Sequence, residues 1–188
     1  MLTRRRGRAL YRLAAEVVER GVPGALVDCG VWNGGSTALL SAGAPGRQVW
    51  AFDSFAGLPQ PGPKDEESET AGRAGDLSTS EQRLREAFAR FGHPERLRVR
   101  KGWFEETFPR AREEVGPVAL VHCDGDWYDS IRLTLETFYP KLSPGGFVVV
   151  DDYGHFAGAR RATDDFRSER RISAPLVAVD GPAVYWRK

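Results

Sequence analysis

Apolar residues fall along this chain in two alternating patterns: short runs of strand length, and longer stretches in which they recur every three or four positions. ALVDCG (25–30), QVWAFD (48–53), LRVRKG (97–102), VALVHCD (118–124) and GGFVVVDD (145–152) form the first set. Runs of this kind, bounded by turn residues, mark strands buried on both faces of a parallel sheet. PLVAVD (175–180) and AVYWRK (183–188), joined through Gly181-Pro182, predict a closing antiparallel hairpin. Helical spacing fills the gaps. Leu10, Leu13, Ala14 and Val17 give a helix over 5–20 one apolar face; Ser78 and Glu81 have capping-box spacing before Leu84, Ala87, Phe88 and Phe91. Tyr128, Ile131, Leu135 and Phe138 mark a crossover helix, and Ala159, Ala162 and Phe166 another over about 158–167. Strands alternating with helices define an α/β domain, here a single one spanning 1–188.

Composition narrows the class. With 188 residues, 41% hydrophobic, the chain supports one sizeable core. No apolar run approaches the roughly 18 residues of a membrane span, and no charged start leads into a signal-peptide core, so a cytoplasmic protein without a membrane partner is expected. The net charge is +1. Arg4, Arg5, Arg6 and Arg8 cluster near the start without an aromatic-rich basic surface, which reads as a solvated helix face rather than a nucleic-acid site. The two cysteines, Cys29 and Cys123, end predicted interior strands and are expected to be close neighbours in the sheet yet reduced. The sequence is compatible with a homo-oligomer.

Chemistry concentrates where strands end. Neighbouring strands lie roughly 4.8 Å apart, so adjacency of the fourth and fifth would bring Asp124, Asp151 and Asp152 together at the carboxyl edge, where open α/β sheets bind ligands. Carboxylates alone favour a hard ion such as Mg²⁺, Mn²⁺ or Ca²⁺; the alternative is that they cap the helices that follow. In VWNGGST, Gly30, Gly34 and Gly35 allow close backbone approach, and Ser36 opens a helix whose free N–H groups suit an anionic group. Trp32 at the second glycine position breaks the dinucleotide fingerprint. Asp53 lies about twenty residues on, where a ribose-binding acid is expected, although an acid there can also begin a turn. Residues 57–77, rich in Pro, Gly and acids, read as a lid or a linker. Trp103 and Phe104 either cover a flat ring or pack on the sheet. His93 and His122 fit structural roles, and His155, just past the double Asp, stays open to either role.

VDCGVWNGGST, FDSFAGLPQP, KGWFEETFP, CDGDWYDS and PGGFVVVDDYG, in that order, resemble the macrocin O-methyltransferase family over nearly the whole chain. The resemblance implies a class I S-adenosylmethionine-dependent fold, three-layered and Rossmann-like, with a seven-stranded, mostly parallel sheet whose last strand is antiparallel. It implies S-adenosylmethionine and Mg²⁺ as cofactors. Cofactor residues then fall on Asp28, Gly30, Gly34, Gly35, Ser36, Asp53, Ser54, Gly102, Trp103 and Asp124, and metal ligands on Asp124, Asp151 and Asp152. The general base of some members falls on Asp126; a base used by others would align with Trp127, which cannot accept a proton. Antibiotic-pathway members carry a longer region before the first strand, so the reaction class transfers better than the acceptor, expected to be a sugar, glycoside, catechol or other vicinal diol. A Mg²⁺-dependent phosphatase is disfavoured by motif order, and a catalytically inactive cofactor-binding protein by the intact acids.

Overall fold

The structure, a computed structural model, describes residues 2–65, 72–91 and 93–188, with Phe91 by its backbone alone. Seven strands are present among these residues: β1 Ala25–Cys29, β2 Val49–Asp53, β3 Leu97–Lys101, β4 Val118–Cys123, β5 Leu142–Val150, β6 Val177–Ala178 and β7 Val184–Arg187. They form one sheet in the order β3-β2-β1-β4-β5-β7-β6. Pairings from β3 through β5 are parallel, and β7 runs antiparallel to both β5 and β6. The expected three-layer architecture with its antiparallel last strand is therefore present.

Period-two alternation splits each interior strand between two cores. Val27, Val121 and Val148 face one core with Phe52, Phe108, Phe138 and Phe166; Leu26, Leu120 and Val149 face the other with Leu10, Val17, Leu40 and Phe88. The first core lies beneath α4 (Phe104–Glu114), α5 (Tyr128–Phe138) and α6 (Ala157–Glu169), the second beneath α1 (Arg4–Glu19), α2 (Gly35–Gly43) and α3 (Glu81–Phe91). The stripe residues of α1, α5 and α6 are buried as the spacing predicted.

Three boundaries differ from the sequence reading. Helix α3 starts at Glu81, where Ser80 Oγ accepts from the Arg83 N–H (3.4 Å), so Ser80 rather than Ser78 stands at its start. Strand β5 begins at Leu142, before the Gly pair, because an irregularity in the β4 pairing absorbs the residues between Leu142 and Phe147. Strand β6 is two exposed residues long, since an edge strand needs neither length nor two apolar faces. Cys29 and Cys123 are register partners on β1 and β4, buried and free. No helix among the described residues is long and apolar enough to cross a membrane.

Candidate active site

A cavity of about 910 Å³ opens at the carboxyl edge of the sheet, lined by the residues that follow β1 to β5 together with Leu2 and Arg6 of the N-terminal segment. The order β2-β1-β4-β5 explains this convergence: parallel strands point their ends the same way, and the edge is where the chain leaves the sheet. Among the expected site residues, Gly30, Gly35, Ser36, Asp53, Ser54, Gly102, Trp103, Asp124, Asp126, Asp151 and Asp152 all line it.

The three glycines of the first loop do different jobs. At Gly30 (φ +87°) an added Cβ would sit 1.8 Å from the Asp124 carbonyl oxygen, so this glycine lets the ends of β1 and β4 close together. Gly34 (φ +83°) is the left-handed residue before α2, and its Cβ would strike Leu84 of α3 at 2.6 Å. Only Gly35 has open space where a Cβ would stand. No side chain caps α2, so the N–H groups of its first turn are left for a ligand at the cavity wall.

Asp53 begins a turn and also lines the cavity. Its Oδ2 accepts from the Trp32 N–H (2.8 Å) and its Oδ1 from the Phe55 N–H (2.6 Å), holding two non-glycine residues at positive φ, +45° and +58°, while the carboxyl still faces the cavity. Burial raises its pKa against these bonds. Ser54 Oγ accepts from the Ala56 N–H (3.1 Å), and the Gly102 N–H donates to the Asp53 carbonyl (3.0 Å), aligning the ends of β2 and β3. Trp103 is 36% exposed beside the cavity, whereas Phe104 stacks on Phe108 at 4.6 Å. Trp103 is thus the ring available to a flat ligand. Asp28 does not reach the cavity: it is fully buried, and its carboxylate accepts from Ser36 Oγ (2.9 Å) and Thr37 Oγ1 (2.6 Å). It holds the loop rather than a ligand.

At the other end of the cavity, Asp124, Asp126 and Asp152 each present an oxygen within 4.8 Å of the others. The set differs from the expected one by a single exchange, with Asp126 inside it and Asp151 outside. Asp151 instead pairs with Arg6, which also lies 3.8 Å from Asp152 and holds Asp180 through Nε at 3.1 Å. Burial, followed by the Asp151 charge, pushes Asp124 well above the usual carboxylate range; burial, followed by Asp152, does the same to Asp126. Asp151 moves the other way: burial opposes ionisation, but His122 and Arg6 outweigh it and hold the pKa below the ordinary value. Carboxylates crowded until their pKa values rise make a seat that a divalent cation would relieve.

A loop arm covers this end. The Trp127 indole N–H donates to the Pro59 carbonyl (3.0 Å), and Asp65 Oδ1 accepts from the Tyr128 N–H (2.8 Å), supplying α5 with the N-terminal acceptor it otherwise lacks. The Leu58 N–H to Asp76 carbonyl bond and the Gly75 N–H to Leu58 carbonyl bond close the neck of the loop. Residues 66–71 of the expected lid lie outside the described residues. Gly158 of α6 completes the latch, because a Cβ there would overlap Asp65 Oδ1 at 1.7 Å.

A family model described as macrocin O-methyltransferase (TylF) matches residues 1–188. The chain belongs to the macrocin O-methyltransferase family. A 4'-O-methyltransferase of Streptomyces olivaceus, named for 8-demethyl-8-(2,3-dimethoxy-alpha-L-rhamnosyl)-tetracenomycin-C, is 40% identical over 181 residues, 91% of this chain and 68% of that protein. Demethyldecarbamoylnovobiocin O-methyltransferase of Streptomyces niveus is 35% identical, over 92% of this chain and 69% of its own. The solved structure of the O-methyltransferase NovP superposes with a TM-score of 0.85 at 33% identity, covering 98% of this chain and 79% of NovP. The chain is accordingly an O-methyltransferase, and the phosphatase and non-enzyme alternatives fall away.

Within this macrocin O-methyltransferase family member, the sequence reading missed the part played by Arg6, the cap supplied by Asp65 and the pairing of His122 with Asp28. Arg6 was grouped with a solvated face, yet its side chain is 11% exposed and turned onto the acids. It stands four positions before Leu10 on the buried stripe, and that phase was the available signal. His122 and Asp28 are polar residues inside runs buried on both faces, where each needs a partner; they are each other's, at 2.7 Å. Asp65 gave no signal, because a cap supplied across a long loop leaves no local pattern.

Proposed function

We propose that this protein transfers the methyl group of S-adenosylmethionine to one hydroxyl of a sugar, glycoside or other vicinal-diol small molecule in natural-product biosynthesis, assisted by a hard divalent cation. The observation that carries the reading is that one cavity joins the open turn at Gly35 and Asp53 to the acid cluster of Asp124, Asp126 and Asp152. Names of the relatives supply the acceptor class: two of them are a rhamnosyl-tetracenomycin 4'-O-methyltransferase and mycinamicin III 3''-O-methyltransferase.

The residues fit both groups. The unoccupied Cβ space at Gly35, the uncapped α2 terminus, the Asp53 carboxyl and the exposed Trp103 ring suit, in turn, a methionine carboxylate, ribose hydroxyls and an adenine. When bound, S-adenosylmethionine supplies an electrophilic methyl on a sulfonium. Asp124, Asp126 and Asp152, with Asp151 beside them, offer oxygen donors only. When bound, a cation such as Mg²⁺ supplies Lewis acidity that lowers the pKa of a coordinated hydroxyl. Asp126, at the cation seat and lining the same cavity, would take the hydroxyl proton. Leu58, Pro59 and Phe156 line this end and exclude water while reactants are held in line. Arg6 balances the charge of the acids from the N-terminal side.

The test is methyl transfer from labelled S-adenosylmethionine across rhamnosides, other glycosides and catechols, followed by mass spectrometry, with and without a chelator. Methylation of a diol that chelator abolishes and Mg²⁺ restores is expected. Turnover indifferent to chelator would remove the metal from the reading, and no transfer to any diol would remove the acceptor class.

A further inference from the structure

Asp28 and His122 are register partners across β1 and β4, and both are fully buried. His122 Nδ1 lies 2.7 Å from Asp28 Oδ1, and since that carboxylate already accepts from Ser36 and Thr37 through its other oxygen, the imidazole N–H is the donor. The second ring nitrogen, Nε2, is buried without a hydrogen-bond partner. It faces Asp151 Oδ1 at 3.7 Å, a few tenths of an ångström beyond hydrogen-bonding distance. A single rigid ring therefore touches the acid that fixes the first turn of α2 and reaches toward the acid beside the cation seat.

We propose that His122 is a positioning residue that couples the two ends of the cavity, so that filling the cofactor end changes cation affinity at the acid cluster, and the reverse. A small shift of Asp151 closes or opens the 3.7 Å gap, and the planar ring passes that choice to Asp28, hence to Ser36 and Thr37. Outer partners of metal-site carboxylates commonly change metal affinity about 10- to 100-fold when replaced, and coupling between sites is typically about 5- to 150-fold. The inference rests on the cation reading proposed above.

Two substitutions separate the two arms of the ring. The side-chain amide in His122→Asn reaches the Nδ1 position and keeps the Asp28 bond while losing the Asp151 arm; in His122→Gln it reaches the Nε2 position and does the opposite. Calorimetry would measure S-adenosylhomocysteine binding with and without Mg²⁺, and electron spin resonance would measure Mn²⁺ binding with and without S-adenosylhomocysteine. Each ligand should change the other's affinity in the unsubstituted protein by about 5-fold or more, and by less than about 2-fold in both variants. His122→Asn should also weaken Mn²⁺ about 10-fold while sparing S-adenosylhomocysteine in metal-free protein, and His122→Gln should show the reverse. Independent binding in the unsubstituted protein overturns the proposal whether or not the variants fold. Coupling that survives in both variants, or equal loss of both affinities in each, overturns it as well. An unsubstituted protein that binds S-adenosylhomocysteine but neither Mg²⁺ nor Mn²⁺ rejects the cation reading itself, and the coupling falls with it.

Discussion

Replacing Arg6 by Gln removes the guanidinium that faces Asp151, Asp152 and Asp180. The side chains of Arg6 and Asp151 are 11% and 6% exposed, so the pair belongs with buried ion pairs, where deleting one partner costs about 3–5 kcal/mol. Asp151 keeps His122 at 3.7 Å as a second source of positive charge, which places the expected loss at the lower end, about 3 kcal/mol. For a domain of this size 1 kcal/mol corresponds to about 2–4 °C, so Arg6→Gln should melt about 6–12 °C lower at pH 7 by circular dichroism. Arg8→Gln, an exposed neighbour without an ion-pair partner among the described residues, should melt within about 2 °C of the parent. The pH dependence has a fixed sign. Because the Asp151 pKa is lowered in the folded protein, the pair's contribution is complete above the ordinary carboxylate pKa, about 4, and is lost as pH falls through the lowered folded value. The gap between Arg6→Gln and parent should therefore be widest near pH 7 and narrow from about pH 4 downward. Mg²⁺ should raise the melting temperature of Arg6→Gln more than that of the parent, since the variant lacks the internal cation. A variant that melts with the parent at pH 7, or a gap that widens in acid, would refute the argument.

Three further outcomes are expected. Asp126→Asn keeps the shape of the acid cluster but cannot take a proton and removes one of the three charges around the cation seat, so turnover of an aliphatic diol should fall about 10²- to 10⁴-fold even at saturating Mn²⁺, and less for a catechol, while Mn²⁺ itself binds more weakly; normal turnover at saturating Mn²⁺ would move attention to His155, which lines the same cavity. Asp53→Ala should weaken S-adenosylhomocysteine in calorimetry and also destabilise the fold, because the Trp32 and Phe55 N–H groups lose their acceptor. Gly30→Ala and Gly35→Ala should separate: the first brings a Cβ to 1.8 Å from the Asp124 carbonyl at positive φ and should be severely destabilising, while the second meets nothing within 4 Å and should leave the melting temperature near the parent's but reduce cofactor affinity.

Much of the fold is legible because runs such as VALVHC and FVVV have one stable setting, a strand covered on both faces, and the acids after them mark the sheet edge. The site is legible to the same extent: Asp53, Asp124, Asp126, Asp151 and Asp152 end or follow β2, β4 and β5 of one sheet at the same edge, and all face one cavity. What sequence spacing does not carry is the division of labour among like groups. Nothing local says that Asp151 turns to Arg6 while Asp126 joins Asp124 and Asp152, because that choice depends on a helix more than a hundred residues away. Asp28 sits inside a motif that resembles a cofactor site, yet its oxygens are spent on Ser36, Thr37 and His122. Strand β6 is overpredicted for a simpler reason, since an edge with little to bury ends where its neighbour's hydrogen bonds end.

Gly158 touches no reacting group, yet a methyl added there would meet Asp65 before anything else. Asp65 in turn caps α5 at Tyr128, and Lys64 beside it donates to the Tyr128 hydroxyl at 2.7 Å. One position on α6 thereby sets whether Asp65 can sit on the first turn of α5. Any side chain larger than hydrogen at residue 158 must therefore displace Asp65 and the loop arm that carries it, so a single methyl on α6 probes what that arm contributes while leaving every acid of the cluster in place.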